Sequence, residues 1–278
     1  MSLKVPVVDR IPTYPGRVKL TPVDASNNIY DLTRADQPIE EGTPINKALF
    51  DSKADGVAES ATIYVATSGS DTGGDGTAGA PYATIQKAID SIPKVLNGKH
   101  ITIDIAAGTY PERVQIDGFS GGRLTLGVAG RAVTVHGISV WSSSFVRINI
   151  PNVVYSSSFP GALFYGGANS EVFVVSNMEL KGSGGSTIGI GFEQGSILTT
   201  ASTAITIAGT TYAAVQANTG AKIVFYRVAG SENTGSALRA DNGGLITYDI
   251  RTLEAPTLFL TNSGGKIYRG AQTNAPEY

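Results

Sequence analysis

The chain has 278 residues, of which 41% are hydrophobic and 16% charged, and its formal net charge is −2. This composition is sufficient for a folded core, and a weakly acidic chain without clustered Lys or Arg argues against a nucleic-acid partner. The chain contains no cysteine, which excludes disulfides and thiolate metal sites. We find neither a signal peptide nor an apolar stretch of about 18 residues, so we expect no membrane partner.

Residues 1–60 differ in composition from the rest of the chain. Six prolines occur before residue 45, and charged residues are frequent between them. We expect an extended region that is broken by turns and has no large core of its own. One short helix is predicted to begin at Thr43 and Pro44 and to continue to Phe50, because Thr is a good N-cap and Pro fits the first helical position.

Residues 61–95 are predicted to form the entry to the main domain. Residues 62–67 alternate between apolar and polar side chains, as in a strand. A helix is predicted further on, and its apolar face consists of Ile85, Ala88, Ile89 and Ile92. This helix is expected to cover the open end of the repeat region that follows.

The glycine-rich loop between this strand and helix contains Asp71 and Asp75. Paired carboxylates in such a loop could suggest calcium. The loop lacks the downstream Glu of an EF-hand and the repetition of a calcium-binding β-roll. We therefore interpret both Asp residues as turn formers that need no ion.

Residues 96–278 carry a ladder of apolar residues with a period of 21 to 26 residues. The ladder consists of Ile101, Leu124, Ile148, Val172, Ile197, Ile223, Ile246 and Ile267. A near-constant period of this length is typical of a solenoid, in which each repeat stacks on the next. Small residues precede most anchors by two positions, and apolar residues return two and four positions after them, which indicates half-buried strands.

A second apolar ladder lies seven or eight residues ahead of the first and keeps the same phase. Its members are Ile116, Val140, Phe164, Ile190, Val215, Leu238 and Phe259. Two ladders in phase predict two strands in each turn. Since helix signals are few, we predict an all-β parallel β-helix with its strands about 4.8 Å apart. A β-sandwich is the alternative, because hairpins with regular turns can imitate this period.

The carboxylates offer one weak candidate for catalysis. Hydrolysis of a glycoside needs two carboxyl groups roughly 5 to 9 Å apart, which on a β-helix means neighbouring turns. Glu232 and Glu254 follow consecutive anchors at nearly the same offset and could project from adjacent turns. Exposed carboxylates usually interact only with solvent, so we do not expect an enzyme.

The chain offers no pattern that is typical of a metal or cofactor site. Its two histidines, His100 and His136, are more than one repeat apart, and no cysteine accompanies them. Neither a phosphate-binding P-loop nor a nucleophile elbow is present. We expect neither a metal nor a cofactor.

Three aromatic residues are candidates for binding. Trp141, Tyr155 and Tyr165 lie within two turns of the ladder, at positions where their rings could be exposed. Because Trp and Tyr are enriched at interfaces, we expect them to contact either a glycan or a neighbouring chain.

Two stretches resemble proteins of bacteriophage appendages. Residues 63–93 resemble the entry segment of pectate-lyase-like right-handed β-helices, which is common in tailspike and tail-fibre proteins. The residues that carry this resemblance are Tyr64, Val65, Gly69, Asp71, Gly74, Asp75, Gly76, Pro81, Tyr82, Ala83, Thr84 and Ile85. Residues 11–51 are similar to the opening of phage fibre and appendage proteins.

The resemblance implies a homotrimeric structural protein, made in the host cytoplasm and located in the virion. Residues 1–60 would attach to phage tail or capsid proteins, and a right-handed β-helix would project outward, where it could bind a host cell-surface glycan. The resemblance does not distinguish a tail fibre from a head fibre. It also keeps a polysaccharide depolymerase, a tailspike glycosidase or lyase, as the alternative function.

Overall fold

The computed structural model describes residues 11–12, 18–24, 29–34, 38–40, 56–158, 161–183, 188–199 and 203–269. The chain divides into two compact units, Met1–Ala54 and Asp55–Tyr278. Four strands are described in the first unit, namely β1 (Ile11–Pro12), β2 (Val18–Asp24), β3 (Ile29–Arg34) and β4 (Pro38–Glu40). Strand β1 pairs with β4 and β2 with β3, both antiparallel. The helix predicted after Thr43 lies outside the described residues.

The described part of the second unit contains a sheet of 19 strands and one short helix, α1 (Ile85–Asp90), between the first two of these strands. The strands are β5 (Ala61–Val65), β6 (His100–Ile105), β7 (Gly108–Asp117), β8 (Arg123–Leu126), β9 (Val133–Trp141), β10 (Val146–Ile148), β11 (Asn152–Val154), β12 (Phe164–Gly167), β13 (Glu171–Val174), β14 (Met178–Lys181), β15 (Ile188–Glu193), β16 (Ser196–Thr199), β17 (Ala204–Ala208), β18 (Ala213–Asn218), β19 (Lys222–Gly230), β20 (Ser236–Ala240), β21 (Leu245–Leu253), β22 (Thr257–Thr261) and β23 (Lys266–Arg269). No described helix is both long and apolar enough to cross a membrane.

These strands form three parallel stacks, which we name faces A, B and C. Face A contains β5, β6, β8, β10, β13, β16, the first parts of β19 and β21, and β23. Face B contains the first parts of β7 and β9, then β11, β14, β17 and the second parts of β19 and β21. Face C contains the second parts of β7 and β9, then β12, β15, β18, β20 and β22. Every pairing between strands of this sheet is parallel, so the predicted parallel β-helix is confirmed and the β-sandwich is wrong.

Each turn of the solenoid has three strands, and the prediction of two was wrong. The strands of face B form a separate inward column, in which Tyr110, Val135, Val153 and Leu180 are paired in succession. The sequence pattern conceals this column, because β19 and β21 continue across the bend between faces A and B without a break. Their alternation of apolar and polar residues therefore looks like one long strand.

The register confirms most of the two predicted ladders. On face A, Leu124 pairs with Val146 rather than with Ile148. On face C, Phe164 pairs with Ile138, so the first two members of the second ladder were placed two residues too late. Side chains alternate with a period of two, and an error of two residues therefore keeps the predicted side chains on the inner surface.

Helix α1 covers the first turn, as the sequence predicted. The carboxylate of Glu112 on β7 accepts hydrogen bonds from the backbone N–H of Ile85 at 2.8 Å and of Gln86 at 2.9 Å. The side-chain amide of Gln86 in turn pairs with both backbone groups of Gln115, at 2.8 and 3.2 Å. The helix thus satisfies backbone groups at the edge of β7 that no further strand covers.

The last described strands are more exposed. Leu258 and Phe259 on β22 are 44% and 45% exposed, and Tyr268 on β23 is 52% exposed. The core is therefore closed by α1 at one end and reaches the surface at the other.

The corner that joins face C to face A is a tight turn in most repeats. Pairs of residues with positive φ occupy it at Ala168–Asn169, Thr219–Gly220, Asn242–Gly243 and Ser263–Gly264. A Cβ atom on Gly244 would lie 2.2 Å from the carbonyl oxygen of Ala217 in the preceding turn. This close approach explains why small residues precede the face A anchors by two positions.

Candidate functional site

Two of the three aromatic residues that are candidates for binding lie together on the outer surface of face C. The ring centroids of Trp141 and Tyr165 are 5.9 Å apart, and their planes are tilted by 53°. Tyr155 follows β11 on face B and is partly buried against the core. The structure therefore joins Trp141 to Tyr165 and places Tyr155 elsewhere.

Two glycines allow these rings to lie close to the sheet. A Cβ atom on Gly167 would lie 2.7 Å from the ring of Trp141, and one on Gly191 would lie 2.6 Å from the ring of Tyr165. Any larger residue would push the rings outward. Glycine inside a strand often marks such a close approach, so Gly167 and Gly191 are the signal in the sequence that points to this surface.

Tyr165 is hydrogen-bonded to Glu193 on the next turn of face C. Burial, the hydrogen bond to Glu193 and the charge of that carboxylate together raise the pKa of Tyr165 far above its ordinary value. Its phenol therefore stays protonated and acts as a hydrogen-bond donor, not as a nucleophile. Asn218 donates a second, longer bond to Glu193 at 3.4 Å.

A buried carboxylate, Asp241, links three successive turns of the same face. It accepts hydrogen bonds from Gln216 at 3.1 Å, from Arg239 at 2.5 Å and from Asn262 at 2.8 Å. Burial acts to raise the pKa of Asp241, but the three donors outweigh it and the pKa lies below its ordinary value. The guanidinium of Arg239 also lies 4.5 Å from the ring centroid of Tyr212. This arrangement is a structural cross-link, because its three donors belong to three successive turns.

Glu232 and Glu254 are both exposed at the corner between faces B and C, on consecutive turns. The residue beside them, Asn233, is buried and bonds to both neighbouring turns. Its side-chain oxygen accepts bonds from the backbone N–H and the hydroxyl of Thr210, and its amide donates to the carbonyls of Ile207 and Glu254. The two glutamates thus lie on a corner that a buried amide holds in place.

The turn-forming role predicted for the two Asp residues is confirmed for Asp75 alone, because Asp71 instead joins the loop to the N-terminus of α1. Asp71 accepts bonds from the backbone N–H of Ala83 at 2.8 Å and from both the backbone N–H and the hydroxyl of Thr84. Asp75 accepts one from the backbone N–H of Thr77 at 3.0 Å. Within the part of the chain that the structure describes, no three His, Cys, Asp or Glu side chains come together as a metal site.

No protein-family model matches this chain, and neither a curated protein nor a solved structure shows significant similarity to it.

Proposed function

We propose that this protein is a non-enzymatic structural component of a bacteriophage virion. In this proposal it is a homotrimeric tail or head fibre, or a spike, that docks on the particle through its N-terminal unit. Its β-helix projects outward and contacts the host surface. Residues 11–51 and 63–93, which resemble phage appendage proteins, support the virion part of the proposal.

The observation that carries the proposal is the parallel solenoid itself. Nine strands stack on face A, so its eight steps give a length of roughly 38 Å at the usual strand spacing. Inter-strand hydrogen bonds run along this length, and the core is continuous through it. Such an element suits a stiff projection, because each turn is fixed by the turns above and below it.

The described carboxylates favour a structural protein over a glycosidase. Asp241 and Glu112 are held by donors of the protein itself, and Asp104 lies 3.0 Å from Arg131. A glycosidase instead needs two carboxyl groups that are free to act on opposite sides of one bond. Glu232 and Glu254 are exposed on adjacent turns, and they keep a polysaccharide depolymerase as the second candidate.

Virion attachment can be tested on purified particles. We expect an antibody against residues 55–278 to detect the full-length chain in phage particles separated from the lysate by density. A variant without residues 1–54 should fold but remain in the soluble fraction. Equal incorporation of both chains, or recovery of the full chain only as free protein, would contradict the proposal.

The enzyme alternative needs a separate assay. Purified protein is incubated with capsular or cell-wall polysaccharide of the host, and newly formed reducing ends or unsaturated sugars are measured. We expect no release of sugar. Release that disappears in both Glu232→Gln and Glu254→Gln, while the matched variant Glu179→Gln on face B stays active, would establish the depolymerase instead.

A further inference from the structure

Close to the corner that joins them, faces A and C carry aromatic residues and opposite charges on their outer surfaces. We propose that copies of this chain pack side by side and parallel, with face A of one copy against face C of the next, so that three copies close into a ring. This inference deepens the proposed function and rests on its homotrimer. It assigns the aromatic pair Trp141 and Tyr165 to contact between chains, and not to a glycan.

The first argument is that residues of face C and residues of face A lie at matching heights along the solenoid axis. The chain passes from face C to face A across the tight corner, so each C strand and the A strand that follows it differ by only about one third of a 4.8 Å step. Asp117 at the end of β7 is therefore level with Arg123 at the start of β8, and Trp141 at the end of β9 is level with Phe145 just before β10. Rotation about an axis parallel to the solenoid keeps these heights and brings each residue against its counterpart in the neighbouring copy.

The second argument is an aromatic pair on face A, in which Phe145 is exposed and Phe173 is half-buried. Phe145 is 43% exposed, and its backbone has a φ of +59°, which is unusual for a bulky residue. Its ring centroid lies 5.2 Å from that of Phe173 on the next turn. In the proposed ring, this pair faces Trp141 and Tyr165, and aromatic clusters of this kind are typical of interface centres.

The third argument is the charge on the two faces. The guanidinium of the half-buried Arg123 reaches His100 at 2.8 Å and forms no ion pair with a described residue. Asp117, exposed at the same level on face C, forms no ion pair with the described residues. Lys222 on face A is level with Asn218 on face C. Because asparagine is neutral, the lysine of one copy would not lie against a positive charge of the next copy. A parallel neighbour would thus supply Arg123 with a carboxylate.

The fourth argument is the shape of the corners. The corner between faces C and A points toward the axis of such a ring, and it is closed by short turns. The connections that follow β12, β15 and β18 at this corner are only two or three residues long. The axis therefore receives a corner at which no described connection is longer than five residues.

The mass of the full-length protein in solution tests the ring. We expect light scattering to give three times the chain mass of 28.8 kDa. Phe145→Asp should raise the concentration at which the trimer dissociates at least tenfold, because a carboxylate would be buried among rings. The matched variant Thr109→Asp adds the same charge to the exposed surface of face B and should leave the mass unchanged. Circular dichroism verifies that both variants are folded.

A charge exchange tests the pairing of Asp117 with Arg123. Asp117→Arg and Arg123→Asp should each weaken the trimer about tenfold, and the double variant should recover most of the loss. Recovery is expected because the double variant restores opposite charges across every interface of the ring. A double variant that is as weak as the sum of the two single variants would contradict this pairing.

Because the chain has no cysteine, cross-linking gives a test that does not depend on stability. Gln115→Cys combined with Thr125→Cys places one thiol on face C and one on face A at the same height. Oxidation should give a covalent trimer, whereas Gln115→Cys combined with Thr134→Cys on face B should not. A wild-type monomer would overturn both the trimer of the proposed function and this inference. A stable trimer that neither cross-links nor responds to Phe145→Asp would overturn only the assignment of the faces.

Discussion

Replacing Asn233 by Ala should destabilise the solenoid more than any other exchange of one asparagine side chain described here. Asn233 is 4% exposed, and its amide makes four hydrogen bonds that join three successive turns. Alanine would leave the backbone N–H of Thr210, which is fully buried, without its acceptor. The carbonyls of Ile207 and Glu254 would also lose a donor.

The magnitude follows from these four bonds. A hydrogen bond contributes a net of about 1 kcal/mol, and a buried group left without a partner costs about 1–3 kcal/mol. The carbonyls keep a second lone pair, and water can reach a corner more easily than a core. We therefore expect the free energy of unfolding to fall by about 3 kcal/mol, which corresponds to a loss of roughly 1–1.5 M in the urea midpoint for an m value of about 2–3 kcal/mol/M.

The assay is urea unfolding of the full chain, followed by circular dichroism and by fluorescence of the single tryptophan. Asn177→Ala is the matched control, because the exposed Asn177 accepts only one bond, from the backbone N–H of Ala204 at 2.8 Å. We expect at most about 1 kcal/mol for this control. A midpoint for Asn233→Ala that is no lower than that of the control would refute the reasoning that the buried amide holds the corner.

Three further predictions concern pH and packing. Burial raises the pKa of Glu112, although hydrogen bonds from two backbone amides oppose this shift. The stability that Glu112 contributes is therefore complete below the ordinary glutamate pKa, and it is lost as the pH rises through the raised value. Glu112→Gln should flatten this part of a curve of melting temperature against pH. For Asp241 the pH dependence has the opposite sign, because its pKa is lowered. The stability that it contributes is present above the ordinary aspartate pKa and is lost as the pH falls through the lowered value. Asp241→Asn should remove this loss of stability in acid. Gly191→Ala should push the Tyr165 ring outward and lower stability by about 1–2 kcal/mol, whereas Gly79→Ala, with no atom within 4 Å of its Cβ, should have little effect in the same denaturation assay.

The parallel β-helix could be predicted from the sequence because the same types of residue recur at corresponding positions of successive turns. Apolar residues at a nearly constant spacing, with small residues two positions before them, reflect stacked strands and tight corners. The sequence was insufficient for the number of strands in a turn, since continuous strands such as β19 conceal the bend between faces A and B. It also misplaced Ile148 by two residues, because the variable corner lengths shift the register from turn to turn.

The two aromatic rings of the candidate site could be predicted from the sequence, but the residues around them could not. Residue type alone selected Trp141 and Tyr165 as exposed rings. The residues that shape their surroundings, Gly167, Gly191 and Glu193, belong to neighbouring turns and are about 25 positions away in the chain. Contacts between residues so far apart in the chain depend on the register of the strands, and the register predicted from the sequence was wrong by two residues in some turns.

The direction of the inter-strand hydrogen bonds has a mechanical consequence. These bonds lie along the axis of the solenoid, so a pulling force along that axis acts on one turn-to-turn contact at a time. Peeling should begin beside β23, where the apolar side chains are exposed, and not at the end that α1 and Glu112 close. Each detached turn would release about 70–90 Å of extended chain, so a solenoid that is stiff under small loads would lengthen in steps under larger ones.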